Sequence, residues 1–271
     1  MLNKIQYLFI ISKGIKMEDV IINFLKDVKL RNPILIQGLP GVGNVGKLAV
    51  DYMKDELKSI KFADIISKYF PPQVLIDHDG TIRLVNNELY YYKHSGSGKG
   101  NDLIMVVGDY QSLTPEGQYE LADRIIRIAK NMNVKRIYTL AGYAHNDINK
   151  NIIKIWGATN NKTLIKEMEK HGVIFKRDDY TGSLVGASGL LLGIGLQYGI
   201  DAVCLMGETS GYFIDPKSAE TLLKVFIKIL GINLKFENLQ KKAKEIDKIT
   251  QKFQDIEDEN KEDKDILNYF A

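Results

Sequence analysis

The segment Gly41-Val-Gly-Asn-Val-Gly-Lys47, between a strand pattern and a helix pattern, fits two phosphate-binding templates at once. Read as G-x-G-x-x-G it is the dinucleotide fingerprint, whose glycines let backbone amides approach a pyrophosphate at a helix N-terminus. Read as G-x-x-x-x-G-K it approaches a P-loop, yet position 48 is Leu where the magnesium-holding hydroxyl belongs. The dinucleotide template also asks for an acidic residue about 20 positions on. Asp64 stands near that distance, inside a strand pattern and away from its tip. Gly41, Gly43, Gly46 and Lys47 are therefore candidate phosphate-binding residues. The competing reading is that Gly38, Pro40 and the same glycines shape a tight strand-to-helix connection and let the helix pack closely on the sheet.

Three carboxylates fall where apolar strands end: Asp109, Asp147 and Glu208. The carboxyl edge of a parallel sheet is where open α/β folds collect their active sites. With a phosphate-bearing ligand on residues 41–47, Glu208 or Asp109 would serve as acid or base. Their structural alternative is helix capping, with Asp215 as the N-cap before Pro216. His78, His94, His145 and His171 show none of the spacings of a zinc site, so no metal is expected. Asp77-His-Asp-Gly80 reads as a polar hairpin turn. Gly186-Ala-Ser-Gly-Leu190 breaks the G-x-S-x-G nucleophile elbow at its last position, which leaves Ser188 as a small packing residue. The single cysteine, Cys204, lies in the run Ala202-Val-Cys-Leu-Met206 and reads as core filler in a reducing cytoplasm.

To hold such residues in place the chain needs a core, and 271 residues with 45% hydrophobic content supply one. Lys+Arg 37 against Asp+Glu 34 is too balanced for the continuous basic surface that nucleic acid requires. No run approaches the ~18–20 apolar residues of a bilayer span, so the expectation is a soluble cytoplasmic protein without nucleic-acid or membrane partners. Residues 1–16 carry a short apolar stretch without a small-residue cleavage site, and read as an upstream extension or a misplaced start.

Val20, Ile21, Phe24, Leu25 and Val28 recur at three- and four-residue spacing, which predicts an amphipathic helix ending near Arg31. Ile34-Leu-Ile-Gln37, Leu103-Ile-Met-Val-Val107, Arg136-Ile-Tyr-Thr-Leu-Ala141 and Ala202 to Met206 are strands apolar throughout, separated by helices at 48–57, 115–131, 163–171 and 187–198. That alternation predicts a mostly parallel sheet covered on both faces, a three-layer αβα sandwich. Short runs at 62–67, 74–77, 82–85 and 88–93 add antiparallel hairpins. Thr114 and Asp215, each followed by Pro, predict capped helix starts. Leu239, Ala243, Ile246, Ile249, Phe253 and Ile256 predict a C-terminal helix within 232–257, set off from the domain at 17–231. Residues 257–265 hold six acidic and two lysine side chains, so a flexible acidic tail is expected over 258–271.

Several segments in order resemble one family. Gly38-Leu-Pro-Gly-Val-Gly43, Gly108-Asp-Tyr-Gln111 with Tyr119-Glu-Leu-Ala122, Ile137 to Tyr143, Trp156-Gly-Ala-Thr159, Gly186 to Leu190, and Leu205 to Tyr212 with Asp215-Pro-Lys217 are similar to the archaeal branch of the proteasome assembly chaperone family. The resemblance spans about Met17 to Leu230. It implies a three-layer αβα domain without established catalytic activity, forming homo-oligomers that engage the α-subunits of the 20S proteasome, and no cofactor is expected. Members carry a hydrophobic-tyrosine-X terminus that docks between α-subunits. Here the end is Tyr269-Phe270-Ala271, with Phe in place of the penultimate Tyr. The resemblance makes these three residues the expected partner-binding site, a free carboxylate and two aromatic anchors. The alternative is a ligase-like, nucleotide- or phosphate-dependent enzyme using residues 38–47.

Overall fold

The computed structural model describes residues 18–94, 100–145, 152–175 and 182–236. The N-terminal extension, Asp147, the 239–256 periodic segment, the acidic tail and Tyr269 to Ala271 lie outside them. In chain order the strands are β1 (Val20–Phe24), β2 (Ile34–Gln37), β3 (Ile60–Ser67), β4 (Val74–Ile76), β5 (Ile82–Leu84), β6 (Asn87–Tyr92), β7 (Leu103–Gly108), β8 (Arg136–Ala144), β9 (Ile155–Thr159), β10 (Val173–Ile174) and β11 (Asp201–Thr209). The helices are α1 (Val45–Glu56), α2 (Pro115–Asn131), α3 (Ile165–Glu169), α4 (Ala187–Gln197) and α5 (Pro216–Leu230).

The four all-apolar runs become the parallel centre β7-β2-β8-β11 of a nine-stranded sheet ordered β1-β3-β6-β7-β2-β8-β11-β9-β10. Every residue of β7 is buried, as a strand covered on both faces must be. One core, built on Leu121, Ile125, Ile126 and Leu191, lies under α2 and α4. The other, built on Val45, Met53, Leu222 and Phe226, lies under α1 and α5, and Met168 of α3 joins it. The result is the expected αβα sandwich. Its flanks are antiparallel, with β6, β3 and β1 beyond β7, and with β9 against β11. The hairpin β4-β5 forms a separate two-stranded sheet.

Both predicted caps form. The Thr114 hydroxyl accepts the Gly117 amide at 3.1 Å, and the Asp215 carboxylate accepts the Ser218 amide at 2.9 Å. The helix expected from Val20 does not form: this segment is β1, paired residue for residue with β3 from Val20↔Ser67 to Phe24↔Ala63. Three successive β-branched side chains, Val20, Ile21 and Ile22, favour extended backbone, and the open edge of β3 supplies the hydrogen bonds that a lone helix would have made internally. The segment at 155–159, which carries no strong period, becomes β9 through the same tertiary route. Residues 232–236 are non-helical, and the Tyr52 hydroxyl of α1 donates to the Lys235 carbonyl at 2.6 Å. Among the described residues no helix is long and apolar enough to cross a membrane.

Candidate functional site

Because β7, β2, β8 and β11 run parallel, their carboxyl ends share one edge, and the chain leaves β2 and β7 toward opposite faces of the sheet. By that rule the crevice where open α/β folds bind ligands lies between the ends of β2 and β7. The glycine loop that leaves β2 packs on its other side, over the ends of β8 and β11, against the protein's own backbone. A Cβ at Gly46 would overlap the Leu140 carbonyl of β8, and one at Gly142 would overlap the Val42 carbonyl. Gly43 takes φ +59°, the left-handed region that glycine tolerates, and a side chain there would lie 2.7 Å from the Thr209 hydroxyl.

The groups of the loop are also engaged. The Gly41 carbonyl accepts the Asn44 amide and the Gly43 carbonyl accepts the Asp215 amide, each at 2.9 Å. Lys47 reaches sideways to the Asp51 carboxylate at 2.8 Å and the Gly108 carbonyl at 3.0 Å. Gln111 is the strut that sequence reasoning left without a role. Its Nε2 donates to the Pro40 carbonyl at 2.6 Å, while its Oε1 accepts the Ala187 amide at 2.9 Å, tying the loop to the start of α4. Only its place in a family motif marked it. Ser188 donates to the buried Gln37 at 3.2 Å, and its carbonyl accepts the Thr139 hydroxyl, so it seams α4 to β2 and β8.

The sequence-derived carboxylates do not converge. Asp109 forms a two-pronged pair with Arg83 at 2.6 and 3.0 Å and accepts the Asn86 amide at 3.1 Å. Burial pushes its carboxyl up, but the Arg83 and Asn86 hydrogen bonds outweigh this and hold it below the usual carboxylate range. The same pairing raises Arg83 despite its partial burial. Glu208 is buried within β11, where it accepts the Trp156 indole at 2.8 Å and the Lys154 amide at 3.2 Å. It is a cross-strand acceptor and does not cap a helix, because β11 runs on through Thr209.

Beside α1 lies a cavity of about 300 Å³ lined by Lys47, Asp51, Lys54, Arg83, Glu88 and Asp109. Its cations are matched internally: Lys47 with Asp51, Lys54 with Asp51 and Asp55, Arg83 with Asp109. Such a cavity is polar without being an anion trap. Asp77 to Gly80 form the β4-β5 turn, with Asp79 accepting the Thr81 amide at 3.0 Å and Gly80 at φ +83°. Among the described residues no three or more His, Cys, Asp or Glu side chains stand where they could hold a metal ion. Cys204 is buried in β11.

A chain whose glycine loop, Lys47 and strand-end carboxylates pack against its own neighbours is best identified through its relatives. The PAC2 family model matches residues 35–254. This chain belongs to the PAC2 family. That agrees with the proteasome assembly chaperone motifs of the sequence. The uncharacterised protein MJ1210 of Methanocaldococcus jannaschii is 38% identical over 244 residues, covering 90% of this chain and 92% of the relative. Among solved structures, Pyrococcus furiosus PbaB, described as an archaeal proteasome activator, superposes with a TM-score of 0.83 at 34% identity, covering 88% of this chain and 100% of PbaB. Pyrococcus furiosus PbaA, described as an archaeal homolog of proteasome-assembly chaperone, gives 0.72 at 29% identity, covering 91% of this chain and 96% of PbaA. The glycine loop and Asp215 lie within the matched region, so the packed loop is part of a PAC2 domain.

Proposed function

We propose that this PAC2 chain is a non-enzymatic proteasome assembly chaperone or activator, working as a homo-oligomer on the α-ring of the 20S proteasome. The observation that carries the reading is the likeness to PbaB along that protein's whole length. The carboxyl-edge geometry supports the non-enzymatic half of it. Lys47, Asp109 and Glu208, which would hold a phosphate or move protons, are engaged with neighbours inside the protein.

In this reading Tyr269, Phe270 and Ala271 dock between α-subunits. The Ala271 carboxylate pairs with a basic group and the two rings fill apolar grooves. Phe270 lacks the phenolic hydroxyl of the tyrosine that family termini carry there, so it packs without that hydrogen bond. The test is capture of 20S proteasome by the full-length chain against a chain lacking residues 269–271. Capture should fall at least tenfold on removal of the three residues, and Phe270→Tyr should bind as well as or better than the parent. Unchanged capture by the shortened chain would overturn the docking role.

A further inference from the structure

The hairpin β4-β5 is inside out. In an antiparallel hairpin lying on a domain, apolar side chains face the body and polar ones face water. Here the register pairs Val74↔Leu84, Leu75↔Arg83 and Ile76↔Ile82. Successive strand residues point to opposite faces, so Leu75 and Arg83 face the domain while the other four share the outer face. Arg83 is anchored by its two bonds to Asp109 and a 3.4 Å approach to Asp77, and Leu75 packs on the first core. These contacts lock the orientation. Val74, Ile76, Ile82 and Leu84 are left 47%, 75%, 67% and 50% exposed.

Four aliphatic side chains in two cross-strand pairs expose on the order of 400 Å² of apolar surface, the scale at which a patch on a monomer marks a contact site. Two copies of the quartet facing each other would bury on the order of 800 Å² in total, the scale of a small contact.

We infer that the outer face of β4-β5 is a self-association surface, and that its occupant is the same hairpin of a second copy, related by a two-fold axis. The quartet carries no charge, so an acidic or basic partner gains nothing from it, whereas a flat aliphatic array is complementary to itself. Charge placement also selects the arrangement. The tip holds Asp77 and Asp79, while the foot is Pro71-Pro72-Gln73. Antiparallel stacking sets each acidic tip over an uncharged foot and keeps the two tips apart. The tip isoleucines of one copy then cover Val74 and Leu84 of the other.

The inference rests on the self-association part of the proposed function and is independent of the terminal docking residues. The test compares the mass in solution of the full chain, of an Ile76→Asp/Ile82→Asp variant and of a chain lacking residues 269–271. Circular dichroism and urea unfolding serve as fold controls. Amide exchange across residues 74–84 is followed against dilution of the unsubstituted chain, so that a fold defect in the double variant leaves a second readout.

The expected result is a loss of about half the mass in the double variant with the fold retained. Mass should be unchanged in the shortened chain, and hairpin exchange should slow as the unsubstituted chain is concentrated. An assembled parent whose mass survives the double substitution, or whose hairpin exchange ignores concentration, overturns this surface and leaves self-association standing. A parent that is monomeric throughout overturns both. Loss of proteasome capture by the shortened chain at unchanged mass bears on the docking role alone.

Discussion

Gly46 and Lys47 are neighbours in the chain and complete the same phosphate-binding template, yet each is spent on packing. Gly46 lets α1 touch the backbone of β8, and Lys47 ties α1 to Asp51 and to the end of β7. Asp109, the most tempting acid or base by position, instead clamps the β4-β5 hairpin through Arg83. Replacing Asp109 by Asn removes a charge-assisted pair at a partly exposed site, for an expected loss of about 1–2 kcal/mol at neutral pH. The folded carboxyl titrates below its unfolded value, so the stabilisation is complete above the ordinary carboxylate range and fades as pH falls through the folded pKa. Urea unfolding should therefore show a clear gap between parent and Asp109→Asn at neutral pH that narrows as the pH falls below the ordinary carboxylate range. A gap that does not narrow would mean that the carboxylate charge contributes nothing. Arg83 could not have been paired with Asp109 from sequence, since 26 positions separate them and the glycine loop does not point to either.

At the scale of elements, helix starts were the most legible feature because a cap is a four-residue interaction. Thr114-Pro115 and Asp215-Pro216 open α2 and α5 where the spacing said they would. Thr114→Ala and Asp215→Ala should each cost about 1 kcal/mol, read as a lower urea midpoint at unchanged slope. β1 is the opposite case. Its apolar residues satisfy a helical period, and the three-residue β-branched run points the other way. The unpaired edge of β3 decided the competition, and no feature within a short window of sequence discloses that edge. The glycine loop read equally well as a ligand cradle or a tight turn. Contact with Leu140, Thr209 and Asp215 is what makes it a turn packed over the ends of β8 and β11.

Across the whole molecule the stability should be uneven. β7, β2, β8 and β11 are paired on both sides and buried on both faces, while β4-β5 is a three-residue hairpin outside the main sheet. In a form held monomeric by Ile76→Asp/Ile82→Asp, amides of the four central strands should exchange at the global unfolding limit and those of residues 74–84 orders of magnitude faster. Comparable protection in both would show that the hairpin belongs to the cooperative core. The contrast fits a PAC2 protein in which a rigid sheet presents the hairpin for self-association, with the terminal residues serving the proteasome in the proposals above.

Taken alone, the sequence determined the αβα class, the four parallel strands, the two proline-marked helix starts, the Asp77–Gly80 turn and the family. Each of these is written in residues a few positions apart, where side-chain size, β-branching and capping act directly on the backbone, or in motifs whose order along the chain is itself the signal. Tertiary structure alone decided that Val20–Phe24 is an edge strand, that Asp109 serves Arg83 and that Glu208 serves Trp156, 52 positions away. It also decided that the aliphatic side of a hairpin faces outward. Those outcomes depend on which strands become neighbours and on which buried charge finds a partner. Such pairings are settled by the sheet order, through contacts whose energy exceeds any local preference.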